Sequence, residues 1–195
     1  MKDHEHSYIK SGMGHFDKPF TKLCIYTLSF WHSIKVTPNI LTTFGLISSI
    51  LCVYFLYKKN TIACIIFLLL RMYFDYADGL LARKYKQVSK FGDYYDHIVD
   101  IFGFFIPFMI VLLITSNTKQ KILFSVLIFV FGLFFVIQQG CMEKEYSNKS
   151  GVESQTLKWV KKMCVLPEFF KFVDNIVFYI VLVVIIILHS KGIPK

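Results

Sequence analysis

The sequence predicts an all-α, polytopic helical bundle in a membrane, and three observations carry the prediction. First, apolar residues come in five long blocks: Val36 to Tyr57, Thr61 to Leu70 and on past Arg71, Ile101 to Thr118, Ile122 to Met142, and Asn175 to Ser190. A spanning helix needs roughly 20 mostly apolar residues, and at 55% hydrophobic, with 21 Phe and a mean hydropathy of +0.53, the chain has them. Second, no block alternates with period two, which excludes barrel strands and leaves helices to satisfy the backbone in lipid. Third, charge is asymmetric. With a cytosolic amino terminus and one crossing per block, fifteen Lys and Arg fall on the cytosolic side and six on the other, with Arg71 inside a span. That is the positive-inside pattern. The net charge of +9 therefore matches an anionic leaflet, and nucleic acid is excluded as a partner because the charges flank apolar spans.

Taken in order, residues 1–35 read as a cytosolic tail followed by an interfacial amphipathic helix, and residues 36–195 as the membrane domain. The tail, Met1 to Lys18, has no apolar core of a cleavable signal, so the first block would be the insertion signal. Its His4, His6 and His15 are read as solvated rather than metal-binding. Asp17 to Lys35 mixes Phe20, Leu23, Leu28, Phe30 and Trp31 with Lys18, Lys22 and His32, which suits a helix lying in the interface with Trp31 at headgroup level. Pro38 breaks this segment, and the first span follows. The second starts near Thr61 and the third opens at Gly92, with Pro107 inside it. Glu143 to Phe172, rich in Lys and Glu, reads as a cytosolic loop with a partly amphipathic helix over Leu157 to Phe172. Five spans are expected, or six if that segment crosses. The five cysteines have no C-x-x-C spacing and read as small apolar side chains outside any disulfide frame or zinc site.

Chemistry concentrates where the second span ends and the third begins. Asp75 and Asp78 lie roughly 21 and 26 Å down a helix from Thr61, while Asp96 and Asp100 fall in the first two turns after Gly92, back at the same depth. Residues three and four apart share a helix face, so the two pairs converge. Ionised carboxylates at membrane depth need compensation, and no basic side chain nearby can neutralise four. Hard oxygen ligands favour Mg²⁺ or Mn²⁺, and a pair of such ions can neutralise a diphosphate. Gly79 and Ala82 remove bulk beside the acids, Arg83 can fork onto phosphate oxygens, and one Asp can take a proton from an attacking hydroxyl. Alternatively, the acids form an ion-pair network in which Asp75 faces Arg71, its natural salt partner one turn earlier.

These residues spell D-x-x-D-G-x-x-A-R, eight residues, then G-x-x-x-D-x-x-x-D: Asp75, Asp78, Gly79, Ala82, Arg83, Gly92, Asp96 and Asp100. At about 5% per position, eight matches would coincide roughly once in 10¹⁰ starts. The run resembles the signature of the class-I CDP-alcohol phosphotransferase family, and Pro38-Asn39 with Thr42 looks like that family's entry to its first span. The resemblance covers about Asp17 to Leu113. It implies Asp75, Asp78, Asp96 and Asp100 as metal ligands, with Asp100 also the catalytic proton acceptor. It implies Asn39, Thr42, Gly79, Ala82, Arg83 and Ser89 as contacts to the CDP moiety. The implied reaction (EC 2.7.8 type) transfers a substituted phosphate from a CDP-linked donor to an alcohol, releasing CMP on the cytosolic side. Either CDP-choline or CDP-ethanolamine with diacylglycerol, or CDP-diacylglycerol with a polar alcohol, fits. A phosphorylated acceptor needs a basic pocket, which Lys144, Lys158, Lys161 and Lys162, or Arg71, could supply. Members commonly have six spans and form homodimers, and Gly45, Ser48 and Ser49 would allow close helix packing.

Two other readings compete. Intramembrane acids also mark ion-coupled transporters, but those acids sit near the midplane on repeated, broken helices, whereas here they cluster at one face without a repeat. A family member that keeps the motif but has lost activity is the third.

Overall fold

In the computed structural model, residues 13–151, 154 and 157–191 are described, without the Ser150 side chain. The first twelve residues of the expected tail, with His4 and His6, therefore lie outside them.

Each apolar block becomes a helix whose start is written locally. Pro38 sits in the first turn of α2 (Pro38–Tyr57), where its missing N–H costs nothing. Asn60 caps α3 (Thr61–Lys84) by accepting from Ala63 N at 3.1 Å. Ser89 caps α4 (Lys90–Ile114) by accepting from Gly92 N at 3.0 Å, and Asn117 does the same for α5 (Thr118–Ser150). The last described helix is α7 (Asn175–Lys191), after the short α6 (Pro167–Phe170). The result is an all-α, multi-span membrane bundle. α2, α4 and α5 are long and apolar enough to cross a membrane, and α7 is a shorter apolar helix. α3 has the length, at 24 residues, but carries Arg71 near its middle and Asp75, Asp78 and Arg83 in its second half.

α2 is the central post. It buries Leu41, Thr42, Gly45, Ser48, Ser49, Cys52 and Leu56 along one stripe, and both α3 and α4 pack on it. Gly45, Ser48 and Ser49 are thus used inside the chain, and offer no surface to a second copy. Their hydroxyls are satisfied by back-bonding, Ser48 to Phe44 O and Ser49 to Gly45 O. α1 (Asp17–Ser33) lies against α3 with Thr21, Cys24 and Leu28 buried and Leu23, Tyr26 and Phe30 exposed. Trp31, expected at headgroup level, donates its indole N–H to Tyr73 at 2.8 Å, and Tyr73 donates on to Thr27.

The second half departs further from expectation. α5 continues eight residues past Met142, into what reads as loop, supported by the Glu145–Lys149 pair at 2.8 Å. It stops where Gly151 turns left-handed at φ 68°. Rising roughly 50 Å, α5 outlasts a ~30 Å hydrocarbon core. The helix expected over Leu157 to Phe172 is broken into a 3-10 turn (Val160–Met163) and α6, because Leu166 is left-handed (φ 49°) and Pro167 follows it. No sixth span forms there among the described residues. A disulfide joins Cys141 to Cys164, contrary to the expectation of thiols throughout, and ties this segment to α5. Cys24, Cys52 and Cys64 are free and buried.

One latch holds both termini of the bundle. Asp174 accepts from the N–H groups of Phe16 and Asp17 at 2.7 and 2.9 Å, and Asp17 accepts from the Tyr76 hydroxyl and from Ile176 N–H.

Candidate active site

α3 and α4 both lean on α2 and bring their acids to a common space. Ligand oxygens of Asp75, Asp96 and Asp100 lie within 4.8 Å of one another. Three hard oxygen donors at that separation fit one divalent cation. Asp78 stands outside this group: its Oδ2 accepts the Thr42 hydroxyl at 2.6 Å, and it is buried.

Arg71 enters the cluster differently from expectation. Its guanidinium is 1% exposed and lies 2.6 Å from Asp100 Oδ1, but 3.7 Å from Asp75. It also donates to the Tyr179 hydroxyl at 2.5 Å and stacks on Phe104, 4.2 Å from the ring centre. The chief partner is thus on α4 rather than one turn on along α3. Gly103 makes the space, since any Cβ there would meet Arg71 Nε.

Two cavities meet at the acids. The smaller, about 320 Å³, is polar. It is lined by Asn39, Thr42, Gly79, Ala82, Arg83 and Ser89 together with Asp78 and Asp96. All six residues expected at the CDP moiety thus line one pocket. Gly79 admits close approach, with the Arg83 guanidinium 3.1 Å from where a Cβ would be. The Ser89 side chain that lines this pocket also caps α4. The opposite wall was not legible in the sequence: Glu143, Tyr146 and Ser154 come from the end of α5 and beyond it. Ser154 N–H donates to Glu143 at 2.7 Å and its hydroxyl to Asp93 at 2.9 Å. His97 lines both cavities, with Nδ1 2.6 Å from the Asp93 carbonyl.

The larger cavity, about 870 Å³, is a groove between α4, α5 and α7. Its α4 wall runs from Tyr94 to Leu112, roughly 27 Å of helix. The walls are apolar, including Phe104, Phe105, Phe108, Ile128, Phe129 and Phe178, while Asp75, Asp78, Asp96 and Asp100 lie at one end.

An apolar groove and a polar pocket thus meet at an acid cluster spaced to take a divalent cation. Comparison with known proteins gives the class its name. The family model for CDP-alcohol phosphatidyltransferase matches residues 35–190, and the chain belongs to that family. It is 37% identical over 92 residues (47% of each chain) to an uncharacterised protein of Aquifex aeolicus. It is 40% identical over 68 residues, 35% of this chain and 36% of the relative, to the archaetidylinositol phosphate synthase of Pyrococcus horikoshii. It is 35% identical over 69 residues, 35% and 39%, to the CDP-diacylglycerol–glycerol-3-phosphate 3-phosphatidyltransferase of Aquifex aeolicus. The chain thus spans less than half the length of these relatives. No solved structure matches it.

Proposed function

We propose that the protein is a phospholipid-synthesising transferase that moves a substituted phosphate from a CDP-linked donor to an alcohol and releases CMP. The single observation that carries this reading is that the polar pocket and the apolar groove share Asp78, Gly79, Arg83 and Asp96. A nucleotide and a lipid moiety entering by different routes would meet at those residues.

Asp75, Asp78, Asp96 and Asp100 would hold two divalent cations, Mg²⁺ or Mn²⁺, which when bound neutralise the donor diphosphate and polarise its phosphorus. The rest is work for the chain's own side chains. Arg83 forks onto phosphate oxygens, and Asn39, Thr42, Gly79, Ala82 and Ser89 border the nucleotide. Arg71 engages Asp100 Oδ1 and so orients its other oxygen. The acceptor hydroxyl oxygen bonds to the phosphorus that carries the donor's alcohol, its proton passes to Asp100, and the P–O bond to CMP breaks. The apolar groove excludes water, which would otherwise compete as acceptor.

The same reading has five spans (α2, α3, α4, α5 and α7), with α1 at the interface and the acids at the cytosolic face. It takes residues 36–195 as the catalytic domain, in a homodimer. The basic bias around α3–α4 and α5–α7 supports the orientation. Purified protein with labelled CDP-choline, CDP-ethanolamine or CDP-diacylglycerol and Mg²⁺ should release CMP from one donor. Chelator and Asp100→Asn should each abolish release. Release that persists in Asp100→Asn removes Asp100 from the proton-acceptor role, and inertness with every donor–acceptor pair defeats the reading.

A further inference from the structure

Lys144, Lys158, Lys161, Lys162 and Arg71, the cations that the sequence offers for a basic acceptor pocket, line neither cavity. Three of them, Lys158, Lys161 and Lys162, stand in a segment that returns toward the membrane. α5 leaves its apolar block at Met142 and runs on to Ser150, but residues 157–172 come back along it. The Val160 carbonyl packs where Gly140 lacks a side chain, 2.3 Å from the place of a Cβ. Cys164 is bonded to Cys141. Phe169 and Phe170 rest on Phe134, with ring centres 6.2 and 5.7 Å away. Phe134 lies about 12 Å down α5 from Met142, inside the apolar block. The segment thus descends from the rim of the span to the depth of acyl chains.

At that depth it turns apolar side chains outward. Val165, Leu166, Phe169 and Phe172 are exposed, Leu166 to 72%. Leu166 is also left-handed, at φ 49°, a strained conformation that persists in a bulky residue only where the surroundings compensate. Water does not reward an exposed leucine; lipid does. Glu168, the one acid of residues 157–172, is matched by Lys171 at 2.7 Å. Lys158, Lys161 and Lys162 cluster above, around Val160 and so level with Gly140 near the end of the apolar block. Apolar side chains below a basic cluster are the pattern of a segment seated on anionic lipid. The surface continues into α1, because His15 N–H donates to Lys171 O at 2.8 Å and the His15 ring meets Phe172. We infer that residues 157–172 form a docking surface for anionic phospholipid in the leaflet on the active-site side. Val165, Leu166, Phe169 and Phe172 enter below the headgroups, and Lys158, Lys161 and Lys162 take the lipid phosphates. The inference goes beyond the transferase reading and depends only on the membrane bundle.

Trp159 reports on this surface, since it lies among the lysines, is exposed, and lines the mouth of the large groove. Trp31 is the other of the two tryptophans, so Trp31→Phe leaves Trp159 as the sole emitter. The purified full-length variant is placed in phosphatidylcholine nanodiscs, without donor or Mg²⁺. The nanodiscs carry a small equal fraction of phosphatidylglycerol or phosphatidylcholine brominated close to the headgroup. Each lysine beside an anionic surface contributes about a factor of five in affinity. Brominated phosphatidylglycerol should therefore quench Trp159 several-fold more than brominated phosphatidylcholine. Lys158→Gln with Lys161→Gln and Lys162→Gln should bring the two lipids to parity. Equal quenching before the lysines are changed, or an excess that survives their change, overturns the inference. So does an absence of quenching by either lipid, which would put the segment in water. Native mass spectrometry needs no change at Trp31: phosphatidylglycerol retained by the wild-type chain should be lost from the triple lysine variant, and equal retention overturns the inference. None of these outcomes bears on CMP release, so the transferase reading stands or falls separately.

Discussion

Gly103 of α4 faces Arg71 of α3 with no room for a side chain between them: a Cβ would lie 2.5 Å from Arg71 Nε and 2.9 Å from Ser49 Oγ. Arg71 cannot simply retreat, because its guanidinium is held by Asp100, Tyr179 and the Phe104 ring. Gly103→Ala should therefore displace the guanidinium and, with it, Asp100. A misplacement of ~1 Å at reacting groups costs about 10²-fold in rate. Measured CMP release should fall by that order while the donor KM stays put. A variant as active as wild type would mean that Asp100 does not depend on Arg71 for its position.

Thr42 and Asp78 make a second testable pair. Their 2.6 Å bond crosses from α2 to α3 in a buried site, and hydrogen bonds to charged groups are worth about 1.5–3 kcal/mol. Thr42→Val keeps the shape and removes the donor. If Asp78 is a metal ligand, the Mg²⁺ concentration for half-maximal CMP release should rise about 10- to 100-fold, as for other groups that orient ligands. A rise confined to the donor KM would make Thr42 a nucleotide contact instead.

These two pairs mark how far the sequence could be read. The meeting of Asp75 with Asp96 and Asp100 was legible because helix periodicity puts Asp96 and Asp100 on one face and a short connection returns α4 to the depth where α3 ends, whereas Asp78, expected beside Asp75, turns to Thr42. The starts of α2 and α4 were legible from Pro38 and Gly92. What sequence spacing cannot supply is contact between distant segments. Arg71 lies four residues from Asp75, which made that pairing natural, yet Asp100 and Tyr179, 29 and 108 residues away, are nearer. The same holds for Glu143 and Tyr146: their polar stretch reads as loop, but it prolongs α5 and walls the polar pocket. Residues 157–172 looked helical by composition until Leu166 and Pro167 interrupted them.

The Cys141–Cys164 bridge supplies a prediction about stability and another about topology. Its two halves are 23 residues apart, and closing a loop of that size contributes about 3 kcal/mol on the chain-entropy account. In oxidised purified protein, Cys141→Ser with Cys164→Ser should lower the melting temperature accordingly. Both residues lie near the polar pocket's α5 wall, the end proposed to face the cytosol, where glutathione keeps thiols reduced. Non-reducing peptide mapping of protein trapped with alkylating agent in intact cells should thus find the pair as thiols, and oxidant added after purification should join them. A bridge already present in cells would put the active-site end in an oxidising compartment and overturn the proposed orientation.

Asp17 gives the bundle a pH dependence of known sign. Burial and the facing Asp174 carboxylate push its pKa from 3.8 to about 7, against smaller opposing contributions from the Tyr76 hydroxyl and backbone N–H groups. The folded protein therefore keeps a proton that the unfolded chain releases. Stability contributed by that proton is complete below pH ~4 and declines as pH rises, until it levels off above ~7. At ~1.36 kcal/mol per pH unit the full swing is at most about 4 kcal/mol. Asp17→Asn keeps an oxygen for Tyr76 and Ile176 but has nothing to ionise. The difference in melting temperature between variant and wild type should thus grow in the variant's favour from pH 5 to pH 7 and then hold constant. Parallel curves over that range would mean Asp17 is already ionised in the folded state, and that the latch between α1 and α7 holds two facing negative charges.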